Sequence, residues 1–221
     1  MVLAWLSGCA GPQSTLDPAG PSAQAIALVW WWMLGVSAVV LMAVLLLWLA
    51  GMRRKPTTRP TRRGIERAWL IGGGIVLPTV AIVALLGFGA GAGLHQLPLP
   101  GLAPTPMRID AVASQWRWEF RYGGDTGARL ENRLRLPAGR PVDIHTRSSD
   151  VIHSFWVPAL AGKLDAIPGR TLVLRLQAQQ PGRWRGQCAE FCGIGHAHMV
   201  FEVEALPAAE FDAWLQEGAA R

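Results

Sequence analysis

The stretch "CAEFCGIGHAHM", Cys188 to Met199, holds two cysteines four apart, two histidines and a methionine, in a chain of 221 residues with 3 cysteines and 5 histidines. Sulfur and imidazole at this density point to metal binding, or to two thiols placed for a disulfide. An oxidising compartment permits the disulfide, and two cysteines with two histidines also match a structural zinc site. Methionine weighs against zinc, whose ligands are Cys, His and carboxylate. Copper takes all three residue types: soft sulfur suits Cu(I), imidazole suits both oxidation states, and a weak axial Met is a copper electron-transfer feature. A mononuclear copper site of that kind needs one cysteine, so the spare thiolate is best used if two coppers share both sulfurs. Each metal then needs a histidine and a weak ligand, and "SDVIHSFWVP" supplies the further histidine at His153.

A loop of this kind needs a rigid scaffold. From Met107 onward the sequence turns to short segments of period two. "PVDIHTR" puts Val142, Ile144 and Thr146 on one face, and "TLVLRLQ" puts Leu172, Leu174 and Leu176 on one face. Turn residues separate them: Gly123-Gly124, Pro137 to Gly139, Pro168-Gly169 and Pro181-Gly182. The pattern predicts a β-sandwich of roughly 100 residues, over 107–206, and Cys, His and Met on a loop near its end resemble the cupredoxins. Pro207 to Glu217, with Phe211, Trp214 and Leu215 at helical spacing, predicts a closing helix in a tail over 207–221.

The rest of the chain concerns a membrane. The sequence is 51% hydrophobic and 16% charged, and its mean hydropathy is positive. Ala25 to Ala50 and Ala68 to Leu94 carry no charge, and each is long enough for a hydrocarbon core of about 30 Å. Two spans over 25–94 therefore form a predicted hairpin. Its connecting loop, 51–67, holds Arg53, Arg54, Lys55, Arg59, Arg62, Arg63 and Arg67 against Glu66. That loop accounts for the net charge of +6, since the residues from Met107 onward are nearly balanced. A basic loop beside membrane spans marks the cytoplasmic side, so both termini are expected outside. No basic patch is left for nucleic acid. Residues 1–24 read as a leader and linker: "LSGC", Leu6 to Cys9, resembles a bacterial lipobox with Cys9 as the acylated residue, and Gly11 to Ala23 reads as an exposed linker. The proline-rich stretch 95–106 separates the hairpin from the external domain.

Taken together, these segments resemble subunit II of the haem-copper cytochrome c oxidases, through "QWRWEF", "SDVIHSFWVP", "LDAIPGR" and "CAEFCGIGHAHM". The resemblance implies a two-helix transmembrane hairpin followed by an all-β cupredoxin-like Greek-key sandwich. It also implies a binuclear copper centre, CuA, bridged by Cys188 and Cys192. His153 and Met199 would complete one side, and His196 with the backbone carbonyl of Glu190 the other. The Glu190 carboxylate would reach a Mg²⁺ or Mn²⁺ shared with subunit I. Trp116 matches the aromatic residue through which electrons enter, and Trp118 reads as core. Glu66 matches a glutamate at the mouth of a proton channel in subunit I, although a helix N-terminal acid would look the same. Asp150, three residues before His153, is a candidate to orient that histidine.

The implied function is that of the electron-accepting subunit of a proton-translocating oxidase in a bacterial inner membrane. It would take electrons from a c-type cytochrome and pass them to haem in subunit I, where O2 is reduced to water, with a subunit III as further partner. No C-x-x-C-H motif occurs, so the cytochrome is expected to be a separate protein. Quinol oxidases of the same architecture lack the copper ligands, which are intact here; the hairpin with Glu66 and Trp69 favours an oxygen-reducing complex over nitrous or nitric oxide reductases. The alternative is a membrane-tethered copper-binding or delivery protein. His95, His145 and His198 are left out of the ligand set, His198 because strand alternation would turn it away from the metals. After the Trp segment, where relatives with a strongly basic cytochrome partner carry carboxylates, Arg121 and Arg129 outnumber Asp125. A neutral or membrane-tethered cytochrome docking through apolar contact around Trp116 is expected instead.

Overall fold

The computed structural model describes residues 9–54, 63–99, 105–123 and 127–219. Part of the lipobox, the loop cations Lys55, Arg59 and Arg62, part of the proline-rich linker, and Asp125 lie outside the described residues. The chain divides into two compact units, 28–92 and the remainder.

The first unit is helical. Helix α1, Pro21–Arg53, is apolar on all sides along its span, as a helix solvated by lipid must be. The second apolar run comprises α2, Arg63–Ile71, a π-helical turn, Gly72–Val76, and α3, Leu77–Leu94. Both runs are long and apolar enough to cross a membrane, and the protein is membrane-anchored through two spans. The π turn has a local cause. Pro78 lacks an N–H and its ring clashes with the carbonyl four residues back, at Gly74. The turn widens so that the Leu77 N–H bonds the Gly72 carbonyl five residues back.

The second unit is a β-sandwich of two five-stranded sheets. The strands are β1 Met107–Ser114, β2 Arg117–Tyr122, β3 Arg129–Glu131, β4 Arg133–Pro137, β5 Val142–Ser148, β6 His153–Trp156, β7 Leu164–Ala166, β8 Leu172–Leu176, β9 Gly182–Cys188 and β10 Val200–Leu206. One sheet has the order β3-β2-β1-β5-β8 and the other β4-β10-β9-β6-β7. Alternation fills the space between them: Trp118, Phe120 and Tyr122 from β2 face Phe155 from β6 and Phe201 from β10, all buried. The Phe155 and Phe201 rings stack at 5.2 Å between centroids, and the Trp118 ring meets Phe155 edge-on at 5.8 Å. Each such ring contributes about 1.5–3 kcal/mol by leaving water. The closing helix α4, Ala208–Ala219, caps this core through Phe211 and Trp214, which pack on Tyr122.

The segment before the first span is not an exposed linker. The Arg185 N–H donates to the Pro12 carbonyl (3.0 Å), the Ala19 N–H to the Ala159 carbonyl (2.7 Å) and the Ala23 N–H to the Leu160 carbonyl (3.2 Å). Gly20 lies so close that a Cβ there would stand 2.6 Å from the Leu160 carbonyl oxygen. Two features hold it: β9 pairs with β6 only at Cys188 and Gln187, leaving an edge that takes the Pro12 carbonyl at Arg185, and the turn after β6 offers the Ala159 and Leu160 carbonyls. The start of the proline-rich stretch is seated likewise, with Gln96 accepting the Arg175 N–H on its main-chain carbonyl (3.0 Å) and the Gly162 N–H on Oε1 (3.1 Å).

Tyr122, the single tyrosine of the chain, links the two sheets. Its hydroxyl accepts the Arg135 N–H (2.7 Å) and donates to the Arg135 carbonyl (3.0 Å). Burial raises its pKa above the ordinary tyrosine value. The folded state therefore holds the proton more tightly than the unfolded state. This contribution to stability is complete below about pH 10 and is lost as pH rises above it. Tyrosinate absorbance in an alkaline titration should appear only as the fold is lost. A tyrosinate signal near pH 10 in the intact fold would contradict the burial.

Candidate metal centre

The register of β6, β9 and β10 builds one cluster of soft ligands. Phe155 stands opposite Cys188, so His153, two residues earlier on β6, faces the same side of the sheet. The Cys188 N–H donates to the Met199 carbonyl and the Ala189 N–H to the Ser154 carbonyl, both at 2.9 Å. Three adjacent strands thus bring a histidine, a cysteine and a methionine to one end of the sheet. The connection from β9 to β10 closes over them. It contains Cys192, Gly193 in the left-handed region (φ 118°), and a 3₁₀ turn over His196–His198.

Cys188 Sγ and Cys192 Sγ are 3.8 Å apart and both residues are free thiols. His153 Nδ1 lies 3.8 Å from Cys188 Sγ, and the Glu190 carbonyl oxygen 3.2 Å from the same sulfur. His196 Nδ1 and Met199 Sδ lie 3.6 and 3.8 Å from Cys192 Sγ. Ligands on one tetrahedral metal at about 2.0–2.3 Å stand roughly 3.5–3.8 Å apart. The two sulfurs at the middle, with a nitrogen and a weak ligand beside each, are therefore spaced as a metal-binding set. Its composition of thiolate, imidazole, thioether and carbonyl suits copper.

His153 is fully buried and Asp150 fixes its ring. Asp150 Oδ1 is 2.8 Å from His153 Nε2, which turns Nδ1 toward the sulfurs. The Asp150 carboxylate also accepts the backbone N–H of Gln115 (2.7 Å) and of Val151 (2.6 Å). Burial disfavours its charge, but the contact with His153 and the two N–H donors outweigh burial and bring its pKa down to about 2. Burial also opposes charge on His153, yet its neighbours Cys188 and Asp150 raise its pKa above the ordinary value. The two thiols diverge. Burial and then the neighbouring Cys188 push Cys192 up, whereas at Cys188 the contacts with His153 and the Glu190 backbone overcome burial and lower it.

Trp116 sits at the tip of the β1–β2 hairpin, where Ser114 pairs with Arg117. Its indole Nε1 donates to the Cys192 carbonyl (3.3 Å) and its ring lies so close over Gly195 that any Cβ there would overlap it. Trp116 is 42% exposed, so it touches the ligand loop on one side and solvent on the other. From Met107 onward, the exposed large hydrophobic side chains among the described residues are Trp116, Val151, Ile152, Phe191 and Ile194. All five belong to segments that carry the ligands or rest on them.

Glu190 contributes its carbonyl to the cluster, while its carboxylate is exposed and pairs with Lys163 (3.1 Å). Trp118 is core, fully buried. Glu66 stands in the first turn of α2, exposed. His198 is on the 3₁₀ turn rather than on a strand, so turn geometry and not strand alternation leaves it exposed and outside the cluster. Arg121 ion-pairs with Glu119 on its own strand. Sequence reasoning missed Lys163 and Gln115, whose contacts are long-range and carry no spacing signal; the glycines at 193 and 195, within a ligand loop, were the available hint of a close backbone approach.

Residues 128–206 match the family described as "Cytochrome C oxidase subunit II, periplasmic domain". The chain is 33% identical to cytochrome c oxidase subunit 2 of Alkalihalophilus pseudofirmus, over 96% of its own length and 64% of that protein's. It thus spans a little under two thirds of that relative. It is 30% identical to quinol oxidase subunit 2 of Bacillus cereus, covering 98% of this chain and 76% of that one. With cytochrome c oxidase subunit 2 of Branchiostoma floridae the identity is 34%, over 68% of this chain and 70% of the relative.

Proposed function

The chain belongs to the subunit II family of the terminal oxidases, and on that premise we propose that it accepts electrons from a c-type cytochrome at a binuclear CuA centre. It passes them to haem in a partner subunit I, which reduces O2 to water. The observation that carries this reading is the pair of free cysteine sulfurs 3.8 Å apart, each flanked by a histidine Nδ1. Among the named relatives is a quinol oxidase subunit; the full set of His153, Cys188, Cys192, His196 and Met199 supports the cytochrome-oxidising branch.

Cys188 and Cys192 would bridge two coppers, with His153 and Met199 on one side and His196 and the Glu190 carbonyl on the other. A copper pair sharing both thiolates spreads one electron over two metals, so little rearrangement accompanies electron transfer. The protein's own part is preorganisation. Asp150 holds the His153 ring, both sulfurs are ligands only once deprotonated, and the aromatic wall of Trp118, Phe155 and Phe201 keeps water from the buried side. Trp116 offers a π-surface that joins solvent to the ligand loop. The Glu190 carboxylate is the ligand for a Mg²⁺ or Mn²⁺ shared with subunit I, in competition with Lys163 for the same oxygen.

In this reading the protein stands in a bacterial inner membrane with both termini outside, Cys9 acylated, and the basic loop 51–67 in the cytoplasm beside Glu66 at a proton-channel mouth. The complex translocates protons and includes a subunit III. Residues 107–206 form the external copper domain. The apolar rim of Trp116, Val151, Ile152, Phe191 and Ile194 suits a cytochrome that docks by apolar contact.

Electron paramagnetic resonance of the copper-loaded protein tests the centre. Hyperfine structure shared equally by two copper nuclei is the expected result. A single-copper signal, or no signal with a Cys188–Cys192 disulfide found by mass spectrometry, would favour copper delivery or a stapled module instead.

A further inference from the structure

Gln115 is the other residue of the hairpin tip, beside Trp116, and its bonds reach both halves of the ligand set. Its backbone N–H donates to Asp150 Oδ2 (2.7 Å), the carboxylate whose other oxygen holds His153. Its side-chain Nε2 donates to the Cys192 carbonyl (2.8 Å). That carbonyl also accepts the Trp116 indole N–H at 3.3 Å, near the long limit of such a bond. Gln115 is therefore the stronger of two donors on one oxygen, and its partner at the other end is the carboxylate that orients a metal-binding histidine. Gly193 leaves room for this arrangement, since a Cβ there would lie 3.1 Å from Gln115 Nε2.

We propose that Gln115 is a positioning residue for electron uptake: by tying the hairpin tip to the Cys192 carbonyl and to Asp150, it fixes the Trp116 indole against the ligand loop. The inference rests on the electron-accepting function given above. In the step concerned one electron leaves the reduced haem of the cytochrome and one arrives at the centre; no bond forms and no proton moves at Gln115. Without the Gln115 amide, the indole keeps one long hydrogen bond and its packing on Gly195. An indole that drifts from the ligand loop lengthens the gap the electron must cross, and uptake slows accordingly.

Two substitutions in the complete oxidase complex separate positioning from folding. Gln115→Glu presents an acceptor to an oxygen that can only accept, and Gln115→Leu presents no polar group. Each variant is reduced by rapid mixing with a soluble c-type cytochrome that reduces the unsubstituted complex, and separately with dithionite, and its copper spectrum is recorded. The expected result is a two-copper spectrum and dithionite reduction like the unsubstituted complex, with reduction by the cytochrome slowed several-fold. Unchanged reduction by the cytochrome in both variants would overturn the inference. Loss of the copper spectrum in both would overturn it too, because Gln115 would then serve the fold of the ligand loop. A missing two-copper spectrum in the unsubstituted complex would instead overturn the function on which the inference rests.

Discussion

Serine at Cys188 or at Cys192 is expected to remove the two-copper signal altogether and to lower oxidase turnover by more than about 100-fold, beyond the loss typical of residues that only support a metal ligand. The hydroxyl nearly matches the thiol in size, but it is a hard ligand that keeps its proton at neutral pH, whereas the thiolate is the form that binds metal. Each sulfur lies at a junction. Cys188 Sγ stands next to His153 Nδ1, the Glu190 carbonyl and Cys192 Sγ. Cys192 Sγ stands next to His196 Nδ1, Met199 Sδ and Cys188 Sγ. Because each sulfur would bridge both coppers, loss of either takes a ligand from both metals. Both residues are 4% exposed, and the isosteric change should leave the β-sandwich folded, as circular dichroism would show. Full turnover in either variant would exclude bridging by both sulfurs.

The members of this side-chain cluster were legible in the sequence because their spacing is local. Cys188, Cys192, His196 and Met199 fall within one strand end, one loop and one turn, and their residue types suit copper better than zinc. His153 was legible because "SDVIHSFWVP" reads as a buried strand end, although the register that sets it beside Cys188 is a property of the sheet. Alternation in "PVDIHTR" was enough to place Val142, Ile144 and Thr146 inward, and they are buried. What escaped the sequence depends on contacts between distant segments. The residues before the first span look like a linker by composition, yet backbone bonds to Ala159, Leu160, Gln179 and Arg185 hold them on the sandwich. His198 was placed on a strand because its neighbours alternate, whereas the chain needs a tight 3₁₀ turn to bring His196 and Met199 back to Cys192. Gln115, in a hairpin turn, and Lys163, just before β7, are polar residues between strands, and only the folded chain shows that each reaches the ligand loop.

Alanine at Gly195 is expected to slow electron uptake from a cytochrome several-fold while leaving the proposed copper ligands in place. The backbone of Gly195 has φ −83° and ψ 4°, a conformation open to any residue, so alanine brings no backbone strain. Glycine is needed there for space. A Cβ would overlap the Cγ, Cδ2 and Cε3 atoms of the Trp116 indole, and because Trp116 is exposed its ring has room to move outward. The neighbouring Gly193 differs, because at φ 118° alanine would strain the loop itself. Rapid-mixing reduction by a c-type cytochrome, with the copper spectrum recorded alongside, measures the effect. A Trp116→Ala background identifies its cause. If Gly195→Ala acts by displacing the indole, it should cost nothing further once the indole is gone, and the two substitutions together should match Trp116→Ala alone. A full additional loss in the double variant would mean that residue 195 acts on the ligands directly and that the route through Trp116 is not what the glycine protects.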